Sequence, residues 1–168
     1  MSKISLLRGI RNLKIVYKKS VNLRSGIKSN YYCDVKKIYG YPKLVSVLAR
    51  EVAKHIDIRK TTCVAASGYG GIPLGALVSL KSGLPFVLVR DLPKGHGKKT
   101  LLDGYVPTKK DKVTIIDDVL TTGSSIKKTL SIIKKSGATV SEAIVVVKRK
   151  EVSLLIPIRY LFTAGQLL

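Results

Sequence analysis

The chain has 168 residues, enough for one domain around one well-buried core and too few for two. Hydrophobic residues make up 45% and charged residues 24%, an ordinary globular balance, and no apolar run is long enough to cross a bilayer. Lysine and arginine outnumber aspartate and glutamate by 31 to 10, a net charge of +21, which points to anionic ligands or surfaces.

The segment from Ile4 to Val16 is basic and partly apolar, and is expected to form a short helix followed by an extended piece. Ser29 to Val35 reads as a strand, since Tyr31 and Tyr32 favour extended backbone. A helix is predicted to begin at Pro42, with Val45, Leu48, Ala49, Val52 and Ile56 on its apolar face. Thr62 to Ala66 is a short buried-looking run that stops at Ser67-Gly68-Tyr69-Gly70-Gly71, and a helix is expected from Ile72 to Lys81, ended by Gly83. Pro85 to Arg90 is a second apolar strand. Asp91 to Tyr105, with a proline, three glycines and several lysines, reads as a long mobile loop.

Val113 to Ile116 is a third strand, delivering Asp117 and Asp118 at its end. A helix follows from about Ser124, with Ile126, Leu130 and Ile133 on one face and Gly137 as its stop. Ala143 to Val147 is a fourth strand. Leu154 to Phe162 is a last one, demoted to an edge by Pro157. Apolar strands alternating with amphipathic helices predict a single α/β domain, residues 1–168, with a mainly parallel sheet. In such sheets ligands bind at the carboxyl ends of the strands.

The two cysteines, Cys33 and Cys63, form no CxxC pair and read as packing residues. Met1 to Arg11 lacks the apolar core of a signal peptide, so a cytoplasmic protein is the expectation. Basic residues are spread through the sequence and aromatics are only 6%. That favours a solvated basic surface, with nucleic acid not the expected partner and any binding weak and fading with salt.

The most informative string is Val113-Thr-Ile-Ile-Asp-Asp-Val-Leu-Thr-Thr-Gly-Ser-Ser125. A hydrophobic strand ends on two adjacent carboxylates, and Thr121, Thr122, Gly123, Ser124 and Ser125 then lead into a helix. Small hydroxyl residues and glycine let backbone N–H groups converge on an anion. Carboxylates beside an anion site suit a ligand that carries hydroxyls and a phosphate.

This string resembles the phosphoribosyl-pyrophosphate motif of the type I phosphoribosyltransferases. The resemblance implies that fold, with a small N-terminal hood, and implies that Asp117 and Asp118 hold ribose hydroxyls while Thr121 to Ser125 grip the 5-phosphate. Three more segments resemble the orotate phosphoribosyltransferases. Leu23-Arg-Ser-Gly-Ile-Lys-Ser-Asn-Tyr-Tyr-Cys-Asp34 looks like their amino-terminal signature, with Arg24 in it and Tyr31 and Tyr32 against the base. Gly68-Tyr-Gly-Gly-Ile-Pro-Leu74 is similar to their pyrophosphate-side loop, bringing Tyr69, Gly70 and Gly71 to the ligand. Arg90 to Gly97, with Lys94 and His96, resembles their catalytic loop. Arg149, just past the fourth strand, stands where the family has an arginine for the orotate carboxylate, a role that suits a guanidinium fork. Taken singly, each segment also has a plain reading: Tyr31 and Tyr32 alternate faces on a strand, Gly70 and Gly71 suit any turn, and Lys94 and His96 suit any solvated loop.

The sequence also departs from the family pattern. Many members have lysine at Arg24, at Gly70 and at Asp91, aspartate at Lys148, and an acidic residue at Lys98. The implied reaction is transfer of ribose 5-phosphate from phosphoribosyl pyrophosphate to orotate. Mg2+ would be held mainly through substrate rather than by protein ligands. A homodimer is implied, with the Asp91–Tyr105 loop reaching the neighbouring site. A purine base in place of orotate, or a non-catalytic nucleic-acid-binding protein on the same fold, are the alternatives.

Overall fold

The computed structural model describes residues 3–22, 28–92 and 100–168. The chain opens with helix α1, Lys3–Asn12, and an antiparallel hairpin of β1, Val16–Asn22, and β2, Lys28–Cys33. The extended piece expected after the first helix is thus a full strand, paired Val16 to Cys33 and Tyr17 to Tyr32. A 3-10 turn, Val35–Gly40, leads into α2, Pro42–Lys54. Helix α2 forms where its apolar spacing predicts, with Pro42 in its first turn and Val45, Leu48, Ala49 and Val52 buried.

Then come β3, Cys63–Ser67; α3, Gly68–Ser82; β4, Phe86–Val89; β5, Leu102–Gly104; β6, Lys112–Leu120; α4, Ser124–Lys135; β7, Thr139–Lys148; and β8, Ile158–Thr163. These strands form one six-stranded sheet in the order β5-β4-β3-β6-β7-β8. All neighbours are parallel except β5, which runs antiparallel to β4 along one edge. Strand β8 is the other edge, as Pro157 predicts. The proline stands just before it and accepts a hydrogen bond from Ala143 N through its carbonyl (2.9 Å).

Alternation along the central strands supplies two cores. Val64, Ile116, Ile144 and Val146 face α1, α2 and α3. Cys63, Ala65, Val113, Ile115, Ala143 and Val145 face the other way, toward α4. Both faces of the parallel strands are therefore covered, which is why they read as continuous apolar runs. Both cysteines are buried and unpaired. Among the described residues no helix is long and apolar enough to cross a membrane.

Four expectations need correction. Helix α3 starts at Gly68, not Ile72, so the supposed glycine loop is the first turn of the helix. Strand β6 runs to Leu120 and carries Asp117 and Asp118 within it. Part of the segment expected to be a loop is strand β5, where Leu102 is buried and pairs with Val89. The last strand begins at Ile158 rather than Leu154.

Candidate active site

Register explains why the two aspartates are reachable inside a strand. Strand β6 pairs with β3 only as far as Ile115, opposite Ala65, whereas it pairs with β7 to its end, Leu120 opposite Lys148. Beyond Ile115 the β3 side of β6 is open, and the start of α3 fills it. A Cβ placed on Gly71 would lie 3.1 Å from Asp117 Oδ1. One placed on Gly70 would lie 2.1 Å from Asp118 Oδ2. The missing side chains at positions 70 and 71 are thus what lets the carboxylates meet the helix N-terminus, where N–H groups point outward. Ser67, the residue before α3, does not cap it; its hydroxyl accepts from Thr129 Oγ1 of α4 (2.9 Å).

Asp117 is 8% exposed, and its Oδ1 accepts from Asp118 N (2.9 Å). Burial pushes the Asp117 carboxyl well above its ordinary range, and the neighbouring Asp118 charge pushes it the same way. Burial raises Asp118 as well, while the Asp117 hydrogen bond and the positive charge of Lys36 work against the rise. Two adjacent carboxyls short of counter-charge are costly to keep ionised, which is the electrostatic signature of a place for hydroxyl donors or a cation.

Past β6 the chain turns through Thr121 and Thr122 to Gly123, whose φ of +75° and ψ of 8° lie in the left-handed region. That conformation starts α4 with no side-chain cap on its first turn. Ser124 and Ser125 are exposed, and Thr122 and Ser124 hydroxyls bond each other (2.8 Å). The first turn of α4 thus lacks a side-chain cap and starts beside the Thr122 and Ser124 hydroxyls, an arrangement that suits a phosphate.

The remaining predicted residues divide three ways. Arg149 follows β7, and its N–H donates to Leu120 O (3.0 Å). Its charge acts on Cys33 at the end of β2, as do the charges of Asp118 and Lys36, so the hairpin end, Arg149 and Asp118 form one neighbourhood. Tyr32 is half-buried and packs on Tyr17, ring centroids 5.5 Å apart. Tyr31 lies in β2. Tyr69, at the start of α3, is 89% exposed. A cavity of about 320 Å3 beside it is lined by Gly68, Ile72, Val89 and Arg90. Arg90 does not point free into solvent; its Nε donates to Asp103 of β5. Arg24, Lys94 and His96 lie outside the described residues.

Sequence reading missed three neighbours of the aspartates. Tyr39, in the 3-10 turn, donates its hydroxyl to Gly70 O. Burial, and then the charges of Asp118 and Asp117, push that phenol well above its ordinary range, so it remains a donor at any physiological pH. Lys36 is paired with Asp34 (3.3 Å) and lies within electrostatic reach of Asp118. Cys33 is buried, and its thiol is pushed up to about 12 by burial. The run Cys33-Asp-Val-Lys36 directly after the paired tyrosines was the available signal.

No family model matches the chain. Comparison with known proteins is otherwise consistent. An orotate phosphoribosyltransferase of Methanocorpusculum labreanum is 37% identical over 149 residues, which cover 86% of this chain and 85% of that protein. One of Thermoplasma volcanium is 37% identical over 129 residues, covering 77% and 75%. The chain belongs to the orotate phosphoribosyltransferase family. Among solved structures, the orotate phosphoribosyltransferase of Aeropyrum pernix matches with a TM-score of 0.77 at 26% identity, over 96% of this chain and 95% of that one. An adenine phosphoribosyltransferase of Thermoanaerobacter pseudethanolicus reaches 0.75 at 22% identity over 94% and 99%, a likeness of fold alone. The type I phosphoribosyltransferase architecture therefore does not choose the base.

Within the orotate phosphoribosyltransferase family, the departures in this chain have local partners. Asp91 is bound by Lys128 of α4, which donates to its Oδ1 (2.9 Å) and its carbonyl (3.0 Å). Lys148 pairs with Glu151 and sits over the Tyr160 ring, 4.1 Å from its centroid. Gly70 leaves the room that the Asp118 carboxyl occupies.

Proposed function

We propose that the chain transfers ribose 5-phosphate from phosphoribosyl pyrophosphate to orotate, giving orotidine 5'-monophosphate and pyrophosphate. The observation that carries the reading is the convergence of two helix starts on one carboxylate pair: α3 at Gly70 and Gly71, and α4 at Thr121 to Ser125, with Asp117 and Asp118 between them. One start suits the pyrophosphate, the other the 5-phosphate, and the carboxylates suit the ribose hydroxyls. Arg149, close to the end of the tyrosine-bearing strand, suits the orotate carboxylate.

In the reaction the C1–oxygen bond breaks, pyrophosphate leaves with the electron pair, and a ring nitrogen of orotate bonds to C1 after its N–H proton has passed to solvent. The protein positions the reactants and stabilises the charge on the leaving group. Arg90, Lys94 and His96 would serve at the pyrophosphate, with Lys94 or His96 supplying a proton. Tyr31, Tyr32 and Arg24 would border the base and the sugar phosphate.

Among the described residues no group of three or more His, Cys, Asp or Glu forms a metal cage. Asp117, which is buried, and Asp118, which is half-buried, would suit a Mg2+ carried in by the substrate. When bound, the ion would neutralise part of the pyrophosphate charge.

We also propose a two-fold dimer in which residues 91–105 of one subunit serve the Asp117–Asp118 site of the other. The decisive assay follows loss of orotate absorbance in purified protein with the sugar donor and Mg2+, beside parallel reactions with uracil, adenine and hypoxanthine. Turnover confined to orotate is expected, and turnover confined to a purine would replace orotate as the base. Dimer sharing is read from mixed Asp117→Ala and His96→Ala subunits. With random reassortment about a quarter of wild-type activity should return, and none returns if each loop serves its own subunit.

A further inference from the structure

The net charge of +21 is not absorbed by the site. Anionic substrates account for cations at the carboxyl ends of the strands. They do not account for cations at the opposite end of the sheet. Lys112 begins β6 five residues before Asp117, about 16 Å away at the rise of a strand.

Three segments far apart in sequence converge at that opposite end. Thr62 N donates to Lys112 O (2.8 Å) and Lys112 N donates to Thr62 Oγ1 (3.0 Å), which sets the approach to β3 beside the start of β6. Gly137, just past α4, lies against Lys109: a Cβ placed on it would be 3.4 Å from Lys109 Cβ. Lys60, Lys109, Lys110, Lys112, Lys134 and Lys135 are thereby gathered on one end of the molecule, and all six are exposed. A sequence in which lysines are evenly spread becomes a patch because parallel strands all begin at the same end.

The carboxylates of this end are already engaged. Asp111 is buried and accepts from Thr62 Oγ1 (2.8 Å), Thr108 N (2.8 Å), Thr108 Oγ1 (3.0 Å) and Tyr105 OH (3.1 Å). Asp57 is held by Arg59 (3.1 Å), Glu51 by Lys54 (3.0 Å) and Glu142 by Arg159 (2.7 Å). Lys134 and Lys135 lie in the last turn of α4, where they favour the helix dipole. Lys109 lies beside the end of α4, Lys110 and Lys112 stand at no helix end, and none of the three has an ion pair among the described residues.

Like charges held together repel, and a polyanion relieves the repulsion while releasing its own counterions. The patch is made of lysines, point charges without the bidentate geometry that reads a base edge. Ile58 and Val106 are exposed near it, but the six lysines outnumber them, which favours a polyanion over an apolar protein surface. We infer that this end of the sheet is a docking surface for the phosphate backbone of nucleic acid, bound without regard to sequence and away from the active site.

The test is fluorescence anisotropy of labelled DNA duplex and single-stranded RNA, each of about 20 nucleotides per strand, with the full chain between about 50 and 200 mM salt. If the six lysines each contact a phosphate, log K for duplex falls against log salt with a slope of about −5. Lys109→Glu/Lys110→Glu/Lys112→Glu should weaken binding at least about tenfold at the lower salt. A control with the same change in charge on α1 and the turn after it, Arg8→Glu/Arg11→Glu/Lys14→Glu, should stay within about threefold. Should the first variant not fold, Lys109→Gln/Lys110→Gln/Lys112→Gln gives the same comparison with a smaller loss. Absence of wild-type binding at low salt overturns the inference. So does an equal loss in patch and control variants, which would make net charge the cause. Binding to polyglutamate without binding to either nucleic acid would overturn it in favour of an acidic protein.

Discussion

Gly70→Ala tests whether the contact between the start of α3 and Asp118 matters. The added Cβ would sit 2.1 Å from Asp118 Oδ2, 2.3 Å from its Cγ and 2.6 Å from Oδ1. Reaching the 3.4 Å of ordinary contact requires the nearest oxygen to move about 1.3 Å. Overpacking of this kind costs about 1–3 kcal/mol, partly offset by the 0.5–1 kcal/mol or so that alanine gains over glycine in a helix. The net loss of stability should therefore be modest, at most about 2.5 kcal/mol in urea denaturation. The effect on turnover should be larger, because a misplacement of about 1 Å at a positioning group costs roughly 100-fold. Gly71→Ala provides the graded comparison: its Cβ would lie 3.1 Å from Asp117 Oδ1, and a few tenths of an ångström of movement suffices. Turnover should therefore fall much further in Gly70→Ala than in Gly71→Ala. Equal activity in both variants and wild type would refute the placement of Asp118 at the ribose.

Arg149→Ala should raise the orotate KM by the equivalent of about 1.5–3 kcal/mol while leaving the sugar-donor KM near its wild-type value, since it removes a charge-assisted bond to the carboxylate alone. Asp117→Asn should abolish turnover yet stabilise the fold increasingly as pH rises. Burial raises the folded-state pKa of Asp117 above its unfolded value, so between the two the folded state holds the extra proton and wild-type stability falls with rising pH. Urea titrations of the two proteins should nearly coincide below about pH 4 and separate toward neutrality, with the wild type lower. Burial raises the thiols of Cys33 and Cys63 to about 12 and about 11, so a thiol reagent at pH 8 should label neither in the folded chain and both in denaturant. Lys128→Ala should change stability by no more than about 1 kcal/mol, because its pair with Asp91 is exposed on both sides.

Periodicity revealed those elements whose own side chains carry the pattern. Helix α2 and the runs at β3, β6 and β7 bury the residues that their spacing selects. The errors fall where structure is held from outside the segment. Helix α3 begins in Gly-Tyr-Gly-Gly, a stretch of low helix propensity, because Gly70 and Gly71 must lie against Asp118 and Asp117. Strand β5 has only three residues and exists because β4 offers an edge to pair with. Neither cause is visible along the sequence; both come from partners 13 or more residues away.

The site divides in the same way. The string from Val113 to Ser125 was legible because strand, carboxylates, glycine and hydroxyls are consecutive, and consecutive residues need no topology to meet. Arg149, Cys33 and Lys36 come from three elements and meet only because β7 ends beside β6 and the N-terminal hairpin delivers its second strand there. The same topology that collects acceptors and cations at the carboxyl ends of the strands collects Lys60, Lys112 and Lys135 at their beginnings. One end of the sheet mixes carboxylates with cations and suits a small ligand bearing hydroxyls and phosphates. At the other the exposed lysines exceed the acids left to answer them, and only a ligand with many negative charges can match that.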